Sequence, residues 1–233
     1  MNFENKLIPG VFLKRYKRFF ADIKVKNKVI TAHCANPGSM LGLLKKGNNV
    51  WLTKSNNPKR KLKYTLQIIK IKNSKVGVNT HLTNKIVDHG LKNNLIKYFS
   101  DKVKINKEKV FGHNTRFDFY LEDNKNRIFL EVKNVTLKRQ NKLAEFPDSI
   151  TSRGVKHIKE LINAKKRGFQ AYLMFVIQRE DCDKFNVAKD IDPEYSKTLK
   201  IAIKQKVKVL CYDCKFSSKG IKLNKEIKIL TNE

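Results

Sequence analysis

The sequence predicts a mixed α and β chain in two parts: a small β-barrel of the oligonucleotide-binding kind over residues 1–82, then a mixed α/β domain over residues 83–233. Short apolar runs separated by turn signals fill the first third and amount to about five strands. From Thr83 onward, strands alternate with segments of helical apolar spacing. The chain has 233 residues, 40% of them hydrophobic and 9% aromatic, enough to bury a core in each part.

In the first part, Ile23 and Val25 alternate with charges, Lys26-Asn27-Lys28 can turn, and residues 29–34 run back as the second arm of a hairpin. Asn36-Pro37-Gly38-Ser39 breaks that strand. Met40, Leu41, Leu43 and Leu44 then predict a short helical turn ending at Gly47. Strands over 50–53, 64–71 and 76–80 complete the count, which also fits other small β arrangements.

Thr83 is placed to cap an amphipathic helix through Ile86, Val87, Leu91, Leu95, Ile96 and Phe99. Strands are predicted over 103–111, 116–121 and 128–137, with a turn at 122–126 and a polar loop over 138–145. A helix capped by Asp148 or Ser149 follows, with Ile150, Val155, Ile158, Leu161 and Ile162 as its buried stripe and Gly168 as its stop. Residues 171–177 are continuously apolar, the mark of a strand buried on both faces. A helix over 193–204 and strands over 207–212 and 221–229 finish the domain.

The 51 Lys and Arg against 21 Asp and Glu leave a formal net charge of +30, which makes a polyanion the first partner to consider. Lysine and asparagine are abundant in every segment, however, so local patterning has to carry the case. No run of 18 apolar residues suggests a membrane span, and MNFENKLIPG lacks the pattern of a secretory signal, so a cytoplasmic protein without a membrane partner is expected. Cys34, Cys182, Cys211 and Cys214 then read as reduced thiols with no disulfide. Cys211 and Cys214 have the spacing of half a zinc site but no second pair follows, so they read as ordinary cysteines at a strand end.

The arrangement able to do chemistry lies in the second part. Alternation over 116–121 puts Phe117, Phe119 and Leu121 on one strand face and Asp118 on the other. In the next strand Glu131 and Lys133 share a face, with Leu130 and Val132 opposite. Antiparallel pairing of the two strands would turn both carboxylates and the ammonium into one space. Such a group suits Mg2+ or Mn2+, with Asp118 and Glu131 as ligands and Lys133 orienting the attacking water in phosphodiester hydrolysis. A surface salt bridge is the commoner origin of that spacing. A charged pair interrupting an apolar strand just before a capped helix favours the chemical reading.

Arg15, Lys17 and Arg18 interleave with Tyr16, Phe19 and Phe20, and Lys59, Arg60 and Lys61 precede Tyr64, a mixture that suits a single-strand groove. For these cations phosphate contact and plain solubility weigh equally, whereas Phe19 and Phe20 read as core, with at least one of them buried. Arg153 and Lys156 mark the polar side of the helix after Pro147 as a phosphate-holding surface. His157 beside them is a weak candidate for proton transfer, and His33 and His113 are weaker still. Residues 36–39 lack the pattern of a phosphate-binding loop and read as a tight turn.

LKRYKRFFADI (13–23), HCANPGSMLGL (33–43), NNPKRKLKYTL (56–66), VGVNT (76–80), TRFDF (115–119), EVKNVTL (131–137) and FPDSITSRGVKHIKEL (146–161) together resemble the bacterial sugar fermentation stimulation protein A family across almost the whole chain. The resemblance implies an N-terminal barrel of the oligonucleotide-binding type joined to an α/β domain of the PD-(D/E)xK, restriction-endonuclease-like fold. It places that fold's motif on Asp118 and Glu131-Val132-Lys133, with Phe117 where the motif's name has proline. It further implies DNA binding without sequence preference, tips the basic residues toward nucleic acid, leaves RNA open as a partner, and suggests a regulatory link to sugar (maltose) utilisation. The function expected is nonspecific DNA binding with magnesium-dependent cleavage; the alternatives are a DNA-binding regulator without catalysis and a protein acting on a small metabolite. Oligomeric state is not legible.

Overall fold

A computed structural model describes residues 1–112 and 115–230, which places His113 outside the described residues. The first six strands are β1 (Ile8–Tyr16), β2 (Phe20–Val25), β3 (Lys28–His33), β4 (Asn49–Lys54), β5 (Tyr64–Ile71) and β6 (Ser74–Gly77). They pair in the order β3-β2-β1-β4-β5-β6, and short parallel pairing of Ala32 with Tyr64 and His33 with Thr65 closes the barrel. Phe12, Ile23, Val50, Leu52 and Leu66 fill it. The predicted hairpin is present, with Lys26 at φ 52° in its turn. Strand β1 was not among the expected five, because Pro9 and Gly10 interrupt its alternation. Gly10 is required there: a Cβ would lie 2.7 Å from Cγ2 of Ile23.

The helical turn expected at Met40 does not form. Met40 and Gly42 take positive φ values of 54° and 78°, which break a helix, and Leu41 is exposed while Met40 and Leu43 are buried. Phe19 and Phe20 also depart from expectation. Phe19 is 40% exposed and Phe20 only half-buried, stacked on Tyr16, because Lys17 and Arg18 turn the chain with positive φ and carry both rings outside the barrel.

A 3-10 turn (Thr80–Leu82) leads into α1 (Thr83–Lys92). Thr83 is the first helical residue rather than the cap, and its hydroxyl donates to Oδ1 of Asn134 at 3.3 Å. The helix stops earlier than its apolar spacing suggests: Asn94 turns at φ 56°, and Leu95, Ile96 and Phe99 pack from the chain beyond it.

The second part contains β7 (Lys104–Phe111), β8 (Thr115–Glu122), β9 (Arg127–Val135), β10 (Leu137–Gln140), β11 (Lys142–Phe146), α2 (Ser152–Lys166), β12 (Gln170–Ile177), β13 (Cys182–Val187), α3 (Pro193–Lys204), β14 (Lys208–Phe216), β15 (Ile221–Glu226) and β16 (Lys228–Ile229). The main sheet runs β15-β14-β12-β9-β8-β7, with β9, β12 and β14 parallel and the outer strands antiparallel. As its apolar run predicts, β12 is central, and its residues divide between two cores, one under α2 and α3 and one under α1. The residues expected as a polar loop form the hairpin β10–β11 instead, held by Arg139 on Glu145 at 2.6 Å. With β13, which carries little apolar signal, and β16 they make a second sheet.

Helix α2 begins later than predicted. Thr151 is its cap, accepting from the Gly154 N–H at 3.0 Å, and Ile150 is 79% exposed rather than part of the stripe. The reason is Asp148, whose carboxylate turns away to accept from the Met40 N–H at 3.1 Å, while its carbonyl accepts from the Ser39 hydroxyl at 2.8 Å. The turn at 36–39 is thus a contact between the two parts. Helix α3 has the predicted bounds, with Asp192 accepting from the Tyr195 N–H at 2.9 Å. All four cysteines are free and buried, and Cys211 and Cys214 sit within β14. Among the described residues no helix is long and apolar enough to cross a membrane.

Phe175, fully buried with its ring 4.4 Å from that of Phe185, tests the packing. Phe175→Ala should lower unfolding free energy by about 3–5 kcal/mol, and Ile150→Ala should change it by less than about 0.5 kcal/mol, in urea titrations. A large loss at Ile150 would contradict the observed start of α2.

Candidate active site

Strands β8 and β9 pair from Glu122 and Arg127 as far as Phe119 and Leu130, and there the ladder stops. Asp118 occupies the next position: Oδ2 accepts from the Val132 N–H at 2.7 Å, taking a donor that a backbone carbonyl would otherwise use, and Oδ1 accepts from Asn84 of α1 at 2.7 Å. The strand twists here. Phe119 and Leu121 join the core under α1, but Phe117 packs in the opposite core against Phe111 and Phe129, so the predicted common face for all three is broken at Asp118.

Glu131 and Lys133 share a face of β9, as alternation requires, and Nζ of Lys133 lies 2.6 Å from Oε1 of Glu131. Helix α2 brings His157 to the same place, where Nδ1 makes a short contact with that Oε1 and lies 3.4 Å from Nζ of Lys133. Arg153, one turn earlier and exposed, sets Nε 3.4 Å from Nε2 of His157. Glu131 is only 2% exposed, and its other oxygen, Oε2, has no hydrogen-bond partner among the described residues. The buried hydroxyl of Tyr195 is likewise without one.

The two carboxyls differ in charge behaviour. Burial pushes Glu131 up, but Lys133 and then His157 outweigh it and hold the group below its ordinary value, so it is ionised. For Asp118, burial first and the Glu131 charge second push the carboxyl up to about 6, against the Val132 N–H, Asn84 and Lys133. Tyr195 is raised well above its ordinary value by burial and by the charge of Glu131.

This donor set fits a hard divalent cation. It offers two carboxyls, one with a buried free oxygen and the other carrying a charge burden that a cation would relieve. Among the described residues no group of three or more His, Cys, Asp or Glu could hold a metal ion, so water and substrate oxygens would complete the coordination.

Of the predicted cations, Arg153 reaches this site, and Lys156 is exposed on the same helix. Arg15 is committed elsewhere, donating to the carbonyls of Arg18, Asn36 and Gly38 at 2.7–3.0 Å, so it braces the turns. Lys17 and Arg18 are exposed in the β1–β2 turn, and Lys59 and Lys61 in the segment before β5. Arg60 turns inward and donates to Oγ1 of Thr65 at 2.7 Å. The sequence reading did not single out Asn84 or Tyr195. An asparagine near the start of a helix has many ordinary explanations, and a tyrosine at helical spacing looks like core.

Family models match both parts of the chain: the SfsA N-terminal OB domain over residues 13–78 and the sugar fermentation stimulation protein RE domain over residues 81–220. The chain belongs to the sugar fermentation stimulation protein family. It is 55% identical over 230 residues to the sugar fermentation stimulation protein homolog of Pelagibacter ubique, spanning 99% of each chain. It is 40% identical over 231 residues to that of Maricaulis maris, spanning 98% of each. The structure of Pyrococcus furiosus SfsA in complex with Ca2+ superposes with a TM-score of 0.89 at 25% identity, covering 99% of this chain and 98% of that one. The fold is therefore the family's: an oligonucleotide-binding barrel followed by a restriction-endonuclease-like α/β domain.

Because the folded value of Asp118 lies above the ordinary 3.8, its contribution to stability falls as pH rises from about 4 through about 6. In chelator, its side-chain carboxyl carbon should titrate by NMR with a midpoint near 6, and Asn84→Ala, which removes a hydrogen bond to the ionised form, should move that midpoint higher. A midpoint near 4 would contradict the burial and charge described.

Proposed function

We propose that the chain binds nucleic acid without sequence preference and that its α/β domain hydrolyses phosphodiester bonds with a magnesium or manganese ion. The observation that carries this is the buried, unpartnered Oε2 of Glu131 beside an Asp118 carboxyl whose ionisation the chain's own residues do not balance. The calcium complex of the Pyrococcus furiosus relative supports a hard dication in this family, since calcium and magnesium draw on the same oxygen donors. Asp118 and Glu131 would hold the ion. When bound, it stabilises charge on the scissile phosphate and makes water a better nucleophile.

The chain's residues do the rest. Lys133, fixed between Glu131 and His157, presents an ammonium to orient the attacking water and offset phosphate charge. His157 is a positioning residue that holds the Glu131 oxygen and the Lys133 ammonium together, and Asn84 keeps Asp118 turned into the gap between the strands. Arg153 at the rim offers a guanidinium to a flanking phosphate. The net charge of +30 draws DNA or RNA to this surface, and the cytoplasm is the compartment where this reading places the chain.

Cleavage of labelled duplex DNA, single-stranded DNA and RNA should require magnesium or manganese and cease in chelator. Glu131→Ala and Lys133→Ala should each lower the rate by at least about 100-fold. Binding by the Lys133 variant should keep its dependence on salt, with a log–log slope of about −0.9 per phosphate neutralised on duplex. No metal-dependent cutting of any substrate, with salt-sensitive binding intact, would overturn the catalytic part and leave a binding protein.

A further inference from the structure

Between the barrel and the start of α1 there is a polar cavity of about 360 Å3. Its floor is a hydrogen-bonded set: Gln67 donates to Oγ1 of Thr53 at 2.7 Å and accepts from Asn79 at 2.9 Å, and Arg60 bonds Thr65. Gln67, Asn79 and Thr65 are buried, which is unusual polar content for one edge of a small barrel. The rim carries His33, His81 and Lys85. The one acid beside them, Glu4, is taken by Lys85 at 2.7 Å, and α1 has no acidic residue in its first turn. A lysine in a helix's first turn adds to the positive end of the helix dipole, and its ammonium has donors left for a second anion beside Glu4.

Two of these rim residues continue a row of rings that begins outside the cavity at Phe19. Phe19, His33 and His81 follow one another at centroid separations of 6.4 Å and 6.3 Å. The two imidazoles make no hydrogen bond through their side chains to any described residue, and Phe19 is 40% exposed. A row of surface rings beside the Arg60 and Lys85 cations suits flat, uncharged bases joined by phosphates, and a duplex, whose bases are stacked inside, cannot use it. Residues 80–85 tie this row to the carboxylates: His81 and Lys85 face the cavity, and Asn84 between them holds Asp118.

We propose that Phe19, His33 and His81 form a stacking platform for an unpaired nucleic-acid strand, with Arg60 and Lys85 taking its phosphates. The proposal rests on the nucleic-acid reading above and narrows its substrate to nucleic acid with a single-stranded segment.

The test is fluorescence anisotropy with the full chain in chelator, so that nothing is cut. The probes are oligothymidylate and oligouridylate of about 12 nucleotides and a DNA duplex of about the same length. Phe19→Ala and the double variant His33→Ala/His81→Ala should each weaken single-strand binding on the order of 10-fold to 100-fold, and weaken duplex binding much less. Phe19→Tyr, which keeps the ring, should restore single-strand affinity. Val29→Ala, an exposed apolar residue of the same barrel outside the row, serves as the control and should bind as wild type does. Circular dichroism melts establish that each variant is folded; Phe19 and His81 are exposed and His33 lies at the rim, so all three are replaceable. Loss confined to one oligonucleotide names DNA or RNA as the strand held. Equal losses on single strand and duplex, or none on either, would overturn the platform and leave the nuclease reading standing. Failure of the wild type to bind any of the three probes would overturn both.

Discussion

Glu131 sits in the interior with one oxygen bonded twice and the other not at all, and much of the α/β domain is arranged to keep it so. Burying a carboxylate is unfavourable unless it is paired and hydrogen-bonded, and here Lys133 and His157 meet that cost on one side only. The lysine comes from the same strand two residues on. The histidine comes from α2, whose start is fixed by Thr151, and the Thr151 N–H is itself held by Asp192 at the head of α3 at 2.8 Å. Strand β9 is rigid where this matters, because β12 pairs with it from Ile128 through Val135. Asp118 completes the arrangement by replacing a ladder bond, so the carboxyl pair exists only where β8 leaves its regular path.

The barrel is fastened to this domain through few but specific contacts. Asp148 closes on the turn at 38–40, and the Gly77 N–H donates to the Gln178 carbonyl at 2.9 Å. A Cβ on Gly77 would lie 2.3 Å from Oε1 and 3.2 Å from Cβ of Gln178, so a larger residue would displace that side chain. Gln178 in turn donates to Asn134, beside Lys133 within β9, and to Thr83 at the head of α1. The polar chain from the barrel edge to β9 therefore runs through the buried Gln178 and Thr83 to the half-buried Asn134.

The sequence shows β9, β12 and α3 plainly, because a continuous apolar run and an Asp-Pro helix start have few other meanings. It also puts Asp118, Glu131 and Lys133 within reach of one another through strand alternation alone. What it hides follows from long-range contacts. Ile150 sits at the spacing of a buried stripe, yet the helix starts after it because Asp148 is drawn to the barrel. Phe19 and Phe20 read as core by alternation, yet the turn at Lys17 and Arg18 takes both rings outward. Hairpin β10–β11 carries charges where strands usually carry apolar residues, and those charges bond one another and Asp190. His157 is indistinguishable in sequence from a histidine on a solvated helix face; only the parallel placement of β9 and β12 under α2 brings it to Glu131.

The proposed hydrolysis requires a cation held by Asp118 and Oε2 of Glu131. The direct measurement is anomalous diffraction from crystals soaked in manganese, compared with Glu131→Gln crystals treated alike. A single strong peak in contact with both carboxyls in the wild type, lost in the variant, is the predicted result. Manganese bound elsewhere, or both carboxyls unoccupied at saturating metal with Oε2 still without a partner, would contradict it.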